Sequence, residues 1–393
     1  MSVTFPAGFR AAGITAGLKP SGNPDLAMLV GDPGTTAAGL FTTNRMAAAP
    51  VALSRARLAL GRARAVVVNS GQANAATGAA GAADADTAAT AAAFAADLDP
   101  EELLACSTGV IGEPLHVDAM RAAFPALVDA LASDGGDAFA RAIMTTDTVP
   151  KTVAIHAASG LRVGGAAKGV GMISPNLATM LAFLTTDAAV DADGLQKLAD
   201  EIVKPRFNGF TVDACTSTND TVLLFASGAA GAPTDEGALA SALADAADGL
   251  VAQLIADGEG ATHVLVIDVE GAADTEAARV VAKAVANSPL VKTAAYGEDP
   301  NPGRILQAVG SCGVPVEPAS LDLWLGEIQV ATGGVIPPAY FAADRALHDA
   351  AAQVMQGHEI PIRIRLGEGP GRSRALGCDL SYEYVRINGE YTT

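Results

Sequence analysis

The chain has 393 residues, carries a net charge of −18, and is 50% hydrophobic but only 4% aromatic. That length fits two or three domain-sized units or one large α/β body, with a core built mainly of Ala, Val, Leu and Ile. So negative a chain is a poor partner for nucleic acid or an anionic membrane, because both demand basic patches. Cys106, Cys215, Cys312 and Cys378 lie far apart with no C-x-x-C spacing, which argues against a disulfide framework or a zinc ribbon. The five histidines form no H-x-x-x-H pair, so no metal site is expected. Met1 to Pro6 shows neither a basic segment nor an apolar one, so no signal peptide is expected. No apolar run reaches the roughly 18 residues of a membrane span, and a cytoplasmic protein is the default expectation.

In chain order, residues 5–19 read as short apolar pieces punctuated by glycine, a strand-and-turn opening. Strands are expected at 26–30 and 39–43, with Asp32, Pro33 and Gly34 turning between them. The β-branched run at 65–69 is a strand, and the alanine-rich stretch 81–97 a helix. A strand at 103–107 delivers Ser107-Thr-Gly-Val-Ile-Gly112. Residues 116–131 read as an amphipathic helix disturbed at Pro125, and 139–144 as a further helical turn before Thr145-Thr-Asp-Thr148. Residues 152–156 and 161–166 alternate about Ser159-Gly160 like a hairpin. A helix over 192–204 should stop at Pro205. Helices follow at 236–256, 274–286 and 340–355, and strands at 263–269, 321–330 and 360–366. Gly367 to Arg372 lacks the Gly-Lys-Ser/Thr of a phosphate loop. There is no G-x-S-x-G elbow and no G-x-G-x-x-G between a strand and a helix. No repeat or long linker divides the chain, and the alternation of strands and helices points to an α/β fold.

The stretch richest in chemistry is KGVGMISPNLATML, residues 168–181. Gly169 and Gly171 permit backbone angles that other residues resist, Pro175 fixes its own, and the run then turns apolar from Met180 to Leu184. A hydroxyl at that junction, on Thr179, is a candidate nucleophile. A threonine hydroxyl is not ionised near neutral pH and needs a base. Its own α-amine can serve, but only once the Ala178–Thr179 bond is cut. The plain alternative is a structural threonine that opens an element.

This segment resembles the self-cleavage site of the ornithine acetyltransferase family of arginine biosynthesis. Further blocks from residue 5 to residue 393 share the resemblance, among them GLFTTNRMAAAPV (39–51), STGVIG (107–112), TTDT (145–148), DACTSTNDT (213–221) and the ending CDLSYEYVRINGEYTT (378–393). The resemblance implies an α/β fold of the αββα type. It also implies autoproteolysis at Ala178–Thr179 into fragments 1–178 and 179–393, which stay woven into one body. Thr179 would then carry an acetyl group from N2-acetylornithine to glutamate in ping-pong fashion. Thr108 and Gly109 match the oxyanion hole, where preorganised donors are worth about 3 to 4 kcal/mol. Thr148, Lys168, Thr179, Glu259, Asn388 and Thr393 match substrate-binding positions, with Lys168 suited to an amino-acid carboxylate. Taken alone, Ser-Thr-Gly is an ordinary strand-end turn, an exposed lysine is merely solvated, and Glu259 is one polar residue in the loop after a helix. A glutamate there opposes the helix dipole, which hints at another reason for it. No metal or organic cofactor is implied. The resemblance leaves acetyl-CoA open as a second donor and suggests an α2β2 assembly or a multiple. The family usually has tryptophan where this chain has Pro302 and cysteine where it has Ala76. The rival reading is a self-cleaving N-terminal-nucleophile aminopeptidase or amidase, with water as acceptor.

Overall fold

The computed structural model of the chain describes residues 2–173, 180–233 and 235–390. Ala178, Thr179 and Thr393 lie outside the described residues. The chain forms two compact units, one holding the residues up to Asn208 with Cys215–Leu254, the other Gly209–Ala214 with the residues from Ile255 to 391.

The first unit contains two sheets. One has the order β1-β2-β4-β5, from β1 (Phe9–Ile14), β2 (Leu26–Gly31), β4 (Ala65–Asn69) and β5 (Leu103–Ser107). The other has the order β3-β9-β8-β7-β6, from β3 (Thr36–Phe41), β6 (Lys151–His156), β7 (Arg162–Lys168), β8 (Leu181–Ala188) and β9 (Thr221–Gly231). The helices are α1 (Ala49–Leu58), α2 (Gly78–Ala95), α3 (Val117–Asp129), α4 (Gly136–Ala142), α5 (Ala192–Leu198), α6 (Lys204–Phe207) and α7 (Glu236–Ala256).

Strand β4 shows how the layers arise. Its side chains alternate between faces. Val66 and Val68 join Leu29 and Leu104 against Phe183, Leu223 and Phe225 of the other sheet. Ala65 and Val67 join Met28 and Leu103 against Ala89, Ala92 and Ala93 of α2 and Phe124 and Leu127 of α3. A strand buried on both faces reads as a continuous apolar run, and the alanines of α2 let that helix approach closely. On the far side, Gln253 of α7 accepts from Thr152 N–H at 3.0 Å and donates to the Thr152 carbonyl at 3.0 Å. The layers therefore run helix, sheet, sheet, helix, as the family resemblance implied. Among the described residues α7 is long and apolar enough, by length and composition, to span a bilayer, contrary to the sequence expectation. Its Leu239, Leu243, Leu250 and Leu254 are buried in this unit, which marks a core helix.

The second unit is built on a sheet of order β12-β11-β13-β10-β14, from β10 (Val264–Ala272), β11 (Asp322–Leu325), β12 (Ile328–Ala331), β13 (Glu359–Arg365) and β14 (Gly371–Cys378). Its helices are α8 (Thr275–Asn287), α9 (Pro289–Tyr296), α10 (Pro302–Gly310), α11 (Ala346–Met355) and α12 (Tyr382–Glu390). In β13, Ile360, Ile362 and Ile364 point into the core while the residues between them are exposed.

Several boundaries differ from the sequence expectation for local reasons. The helix over 192–204 runs on to Phe207, because a π turn at Ala199–Val203 leads into α6 with Pro205 in its first turn, where a missing N–H costs little. Pro125 sits inside an unbroken α3. The strand expected at 321–330 is a hairpin, β11 and β12, turning at Gly326 with φ +55°. The helix expected at 340–355 is interrupted at Arg345, with φ +51°, and only α11 is α-helical. Helices α9 and α10 lie where the sequence reading assigns no element. Their signals are Ser288 and Asn301, which cap them by accepting from Val291 and Arg304 N–H, each followed by proline; proline suits the first helical position. Pro302 therefore fits its setting. Ala76 is exposed with φ +58°, so no packing role passes to it.

Phe183 is fully buried between the sheets and meets Phe139 edge-on at 5.1 Å. Phe183→Ala is expected to cost about 3–5 kcal/mol, read as a lowered urea midpoint. An unchanged midpoint would mean that the two sheets do not close on one another there.

Candidate active site

Four loops meet at one end of the strands in the first unit. The parallel strands β4 and β5 finish together, and Thr108 N–H donates to the Asn69 carbonyl at 3.0 Å. Past the strand ends, Val110 N–H donates to the Gly71 carbonyl at 3.2 Å, and Ala73 N–H to the Val110 carbonyl at 2.9 Å. Asn219, from the polar block 213–221, ties both ends by donating to the carbonyls of Ala73 at 2.6 Å and Ser107 at 2.8 Å. Gly109 has φ +127°, and a Cβ placed there would lie 2.1 Å from the Gly71 carbonyl oxygen. Only glycine permits that approach. Among the described residues, the Gly109 N–H has no acceptor.

The last residue of β7, Lys168, reaches this loop. Its side chain is buried, with Nζ 3.2 Å from Thr108 Oγ1 and 2.7 Å from Thr145 Oγ1. Lys168 pairs with Leu181 at the start of β8, two residues along the chain from Thr179. Asp147 holds the cage together. Its Oδ2 accepts from Thr145 N–H at 3.0 Å, and its Oδ1 accepts from Gly169 N–H at 2.8 Å and from Lys151 Nζ at 2.5 Å. The side chains of Asp147 and Lys151 are wholly buried. Burial alone would raise the Asp147 carboxyl, but the charges of Lys168 and Lys151 and the Gly169 N–H more than offset it and hold the group below its ordinary range. Nearby, Lys19 donates to the carbonyls of Pro24 at 2.9 Å and Met144 at 2.6 Å, and burial lowers its ammonium to about 8.

Asp220 lies on the other side of β8. It is buried, and its Oδ1 accepts from Met180 N–H at 2.9 Å, the amide that follows Thr179 in the chain. Burial pushes this carboxyl well above its ordinary value, against the opposing pull of the Met180 N–H, the Lys168 charge and the Thr42 and Ser217 hydroxyls. Burial also pushes the Cys106 thiol up to about 12, so it is a packing residue and not a nucleophile.

The expected site residues divide as follows. Thr108, Gly109 and Lys168 converge, and Thr148 directly follows Asp147 and is exposed. In the second unit, Glu259 and Asn388 are brought together, with Asn388 Nδ2 donating to Glu259 Oε2 at 2.8 Å. Glu259 is buried in the turn beyond α7. Ala178, Thr179 and Thr393 fall outside the described residues. Sequence reasoning passed over Asp147, Lys151, Thr145, Asn219 and Asp220. Two of these carboxylates stand in the threonine-rich blocks already singled out, and a lone acid in such a block was the available signal. Among the described residues no group of three or more His, Cys, Asp or Glu is placed to hold a metal ion. Chemically, the loop presents donors without an acceptor among the described residues beside the buried Lys168, an arrangement suited to charge developing on a carbonyl oxygen.

Asp220 gives a pH signature. Its folded-state value stands above the unfolded one, so its contribution is intact below the unfolded value, near about 4, and is lost as pH rises through the folded value. Asp220→Asn keeps an oxygen for the Met180 N–H and has no charge to suppress. Urea midpoints taken from about pH 5 to about pH 8 should show the variant gaining on the wild type as pH rises. A variant-minus-wild-type difference in midpoint that stays constant or falls as pH rises would mean that Asp220 is folded as a carboxylate.

The chain is similar to known proteins along its whole length. The model of the ArgJ family matches residues 10–393. The arginine biosynthesis bifunctional protein ArgJ of Thermosynechococcus vestitus is 48% identical over 409 residues, covering 100% of this chain and 98% of that one. The protein of the same name from Parasynechococcus marenigrum is 47% identical over 396 residues, covering 100% and 95%. Among solved structures, ornithine acetyltransferase complexed with ornithine from Mycobacterium tuberculosis is 48% identical over 44% of this chain and 94% of that chain, with a TM-score of 0.44. The chain belongs to the ArgJ family and is an acyltransferase of arginine biosynthesis.

Proposed function

We propose that Thr179 carries the acetyl group in this acyltransferase, after the chain has cut itself at Ala178–Thr179. The reading is supported above all by Thr108 and Gly109, whose hydroxyl and N–H have no acceptor among the described residues and which stand beside Lys168. In the first stage, Thr179 Oγ attacks the Ala178 carbonyl carbon, the C–N bond breaks, and the amide nitrogen takes the hydroxyl proton. Water then hydrolyses the ester, leaving a carboxylate on Ala178 and a free α-amine on Thr179.

In the second stage that amine accepts the Oγ proton as Oγ attacks the acetyl carbonyl of N2-acetylornithine. Charge builds on the carbonyl oxygen at Thr108 and Gly109, the C–N bond to ornithine breaks, and the proton passes to the departing amine. The amine of glutamate attacks the acetyl-threonine, N-acetylglutamate leaves, and Oγ recovers a proton. Thr148, Lys168, Glu259, Asn388 and Thr393 fix the charged ends of the two amino acids; a lysine suits a carboxylate and a glutamate suits an ammonium. Acetyl-CoA is a candidate second donor. The two fragments are proposed to assemble as α2β2 or a multiple, in the cytoplasm.

Thr179→Ala should leave a full-length chain with no transferase activity, checked by denaturing electrophoresis and an ornithine-release assay. A variant that is both cut and active removes Thr179 from the scheme. With the wild type, loss of N2-acetylornithine should depend on glutamate. An equal rate in its absence would make the enzyme a hydrolase.

A further inference from the structure

We infer that Lys168 contributes to catalysis through Thr108, by fixing the direction in which that hydroxyl donates. This rests on the reading of Thr108 and Gly109 as the oxyanion hole. An ammonium carries three donors and no acceptor, whereas a hydroxyl has one hydrogen and two lone pairs. In the 3.2 Å contact Nζ must therefore donate and Thr108 Oγ1 must accept. Among the described residues the Thr108 hydroxyl has no acceptor for its own proton. That proton is left for an incoming group.

The cation does more than point it. A hydroxyl that accepts from a charged donor is itself a stronger donor, because the bonds polarise one another in a site of low dielectric. The hydroxyl is thus prepared before charge develops on the substrate. The Gly109 N–H is prepared by other means, the left-handed turn that glycine alone permits against the Gly71 carbonyl.

The lysine is well fixed for this task. Nζ has a second acceptor in Thr145 Oγ1 at 2.7 Å, and only 3% of Lys168 is exposed. Thr145 is held at its N–H by Asp147, which also holds the Gly169 N–H that follows Lys168. Asp147 also takes the buried Lys151 ammonium, so the carboxylate is held by both lysines and anchors the loop that carries Thr145. Thr145 and Asp147 are positioning residues. Their effect reaches the reaction through where Lys168 Nζ sits.

A double-mutant cycle on the self-cleaved enzyme tests this. Thr108→Val should lower kcat by about 100-fold, the scale for one lost oxyanion donor, and Lys168→Met should lower kcat by a similar factor with a smaller change in KM. The double variant should be no slower than Thr108→Val within about threefold. Losses in kcat that multiply would show that Lys168 acts on the reaction independently of Thr108 and would overturn the inference. A Thr108→Val enzyme with wild-type kcat would instead remove the oxyanion-hole reading itself. If Lys168→Met fails to fold or to cut, Thr145→Val repeats the cycle more gently. It should slow the wild type by about tenfold and leave the Thr108→Val enzyme unchanged; an equal loss in both backgrounds overturns the inference.

Discussion

The buried charges of Asp147, Lys151 and Lys168 are the constraint on which the candidate site of the first unit depends. Removing a charge from water costs several kcal/mol, roughly, even after relaxation. Three charges so buried persist only when each finds partners. Asp147 satisfies the condition by accepting from Lys151, from Gly169 N–H and from Thr145 N–H. Lys168 satisfies it on two hydroxyls, those of Thr108 and Thr145. Together these bonds pin the loops after α4, β5 and β7 to one another. The stability gained is modest, since such clusters often do no more than break even against an apolar core. Their product is geometry: a hydroxyl and an N–H held as donors side by side.

The sheet order explains how a chain can tolerate a cut beside such a site. In the order β3-β9-β8-β7-β6, the two strands that follow residue 179, β8 and β9, lie between strands that precede it. β8 is paired with β7 and β9 with β3 along their lengths. Breaking the bond between Ala178 and Thr179 removes none of those hydrogen bonds and none of the apolar contacts between the two sheets. The two fragments therefore have every reason to stay together, and the start of β8 stays beside Lys168, which pairs with Leu181, and Asp220, which accepts from Met180 N–H.

Much of this was legible in the sequence where one residue's environment follows from its neighbours. The strands at 65–69 and 103–107 and the helix at 236–256 are found where their residue types put them, and the alternation of β13 reads directly as one face in and one face out. Legibility failed where a residue has two local meanings. Pro289 and Pro302 break a helix or open one, and the capping bonds of Ser288 and Asn301 decide which. It failed again for polar residues whose burial depends on partners remote in the chain. Thr108 and Lys168 are 60 residues apart, and nothing in either segment announces the other. Asp147 was passed over in favour of Thr148, because an acid in a threonine-rich block looks like solvated surface until Gly169 and Lys151 are placed on it. The roles proposed for Thr108, Gly109 and Lys168 rest on family resemblance; the structure adds the bond between Lys168 and Thr108.

The central claim is that Thr179 becomes an N-terminal nucleophile that holds the acetyl group. Intact mass under denaturing conditions, before and after adding N2-acetylornithine without glutamate, tests it directly. The expected result is two fragments, 1–178 and 179–393, with one acetyl group gained by the second alone. A single uncut chain, or an acetyl group on any other residue, would contradict it.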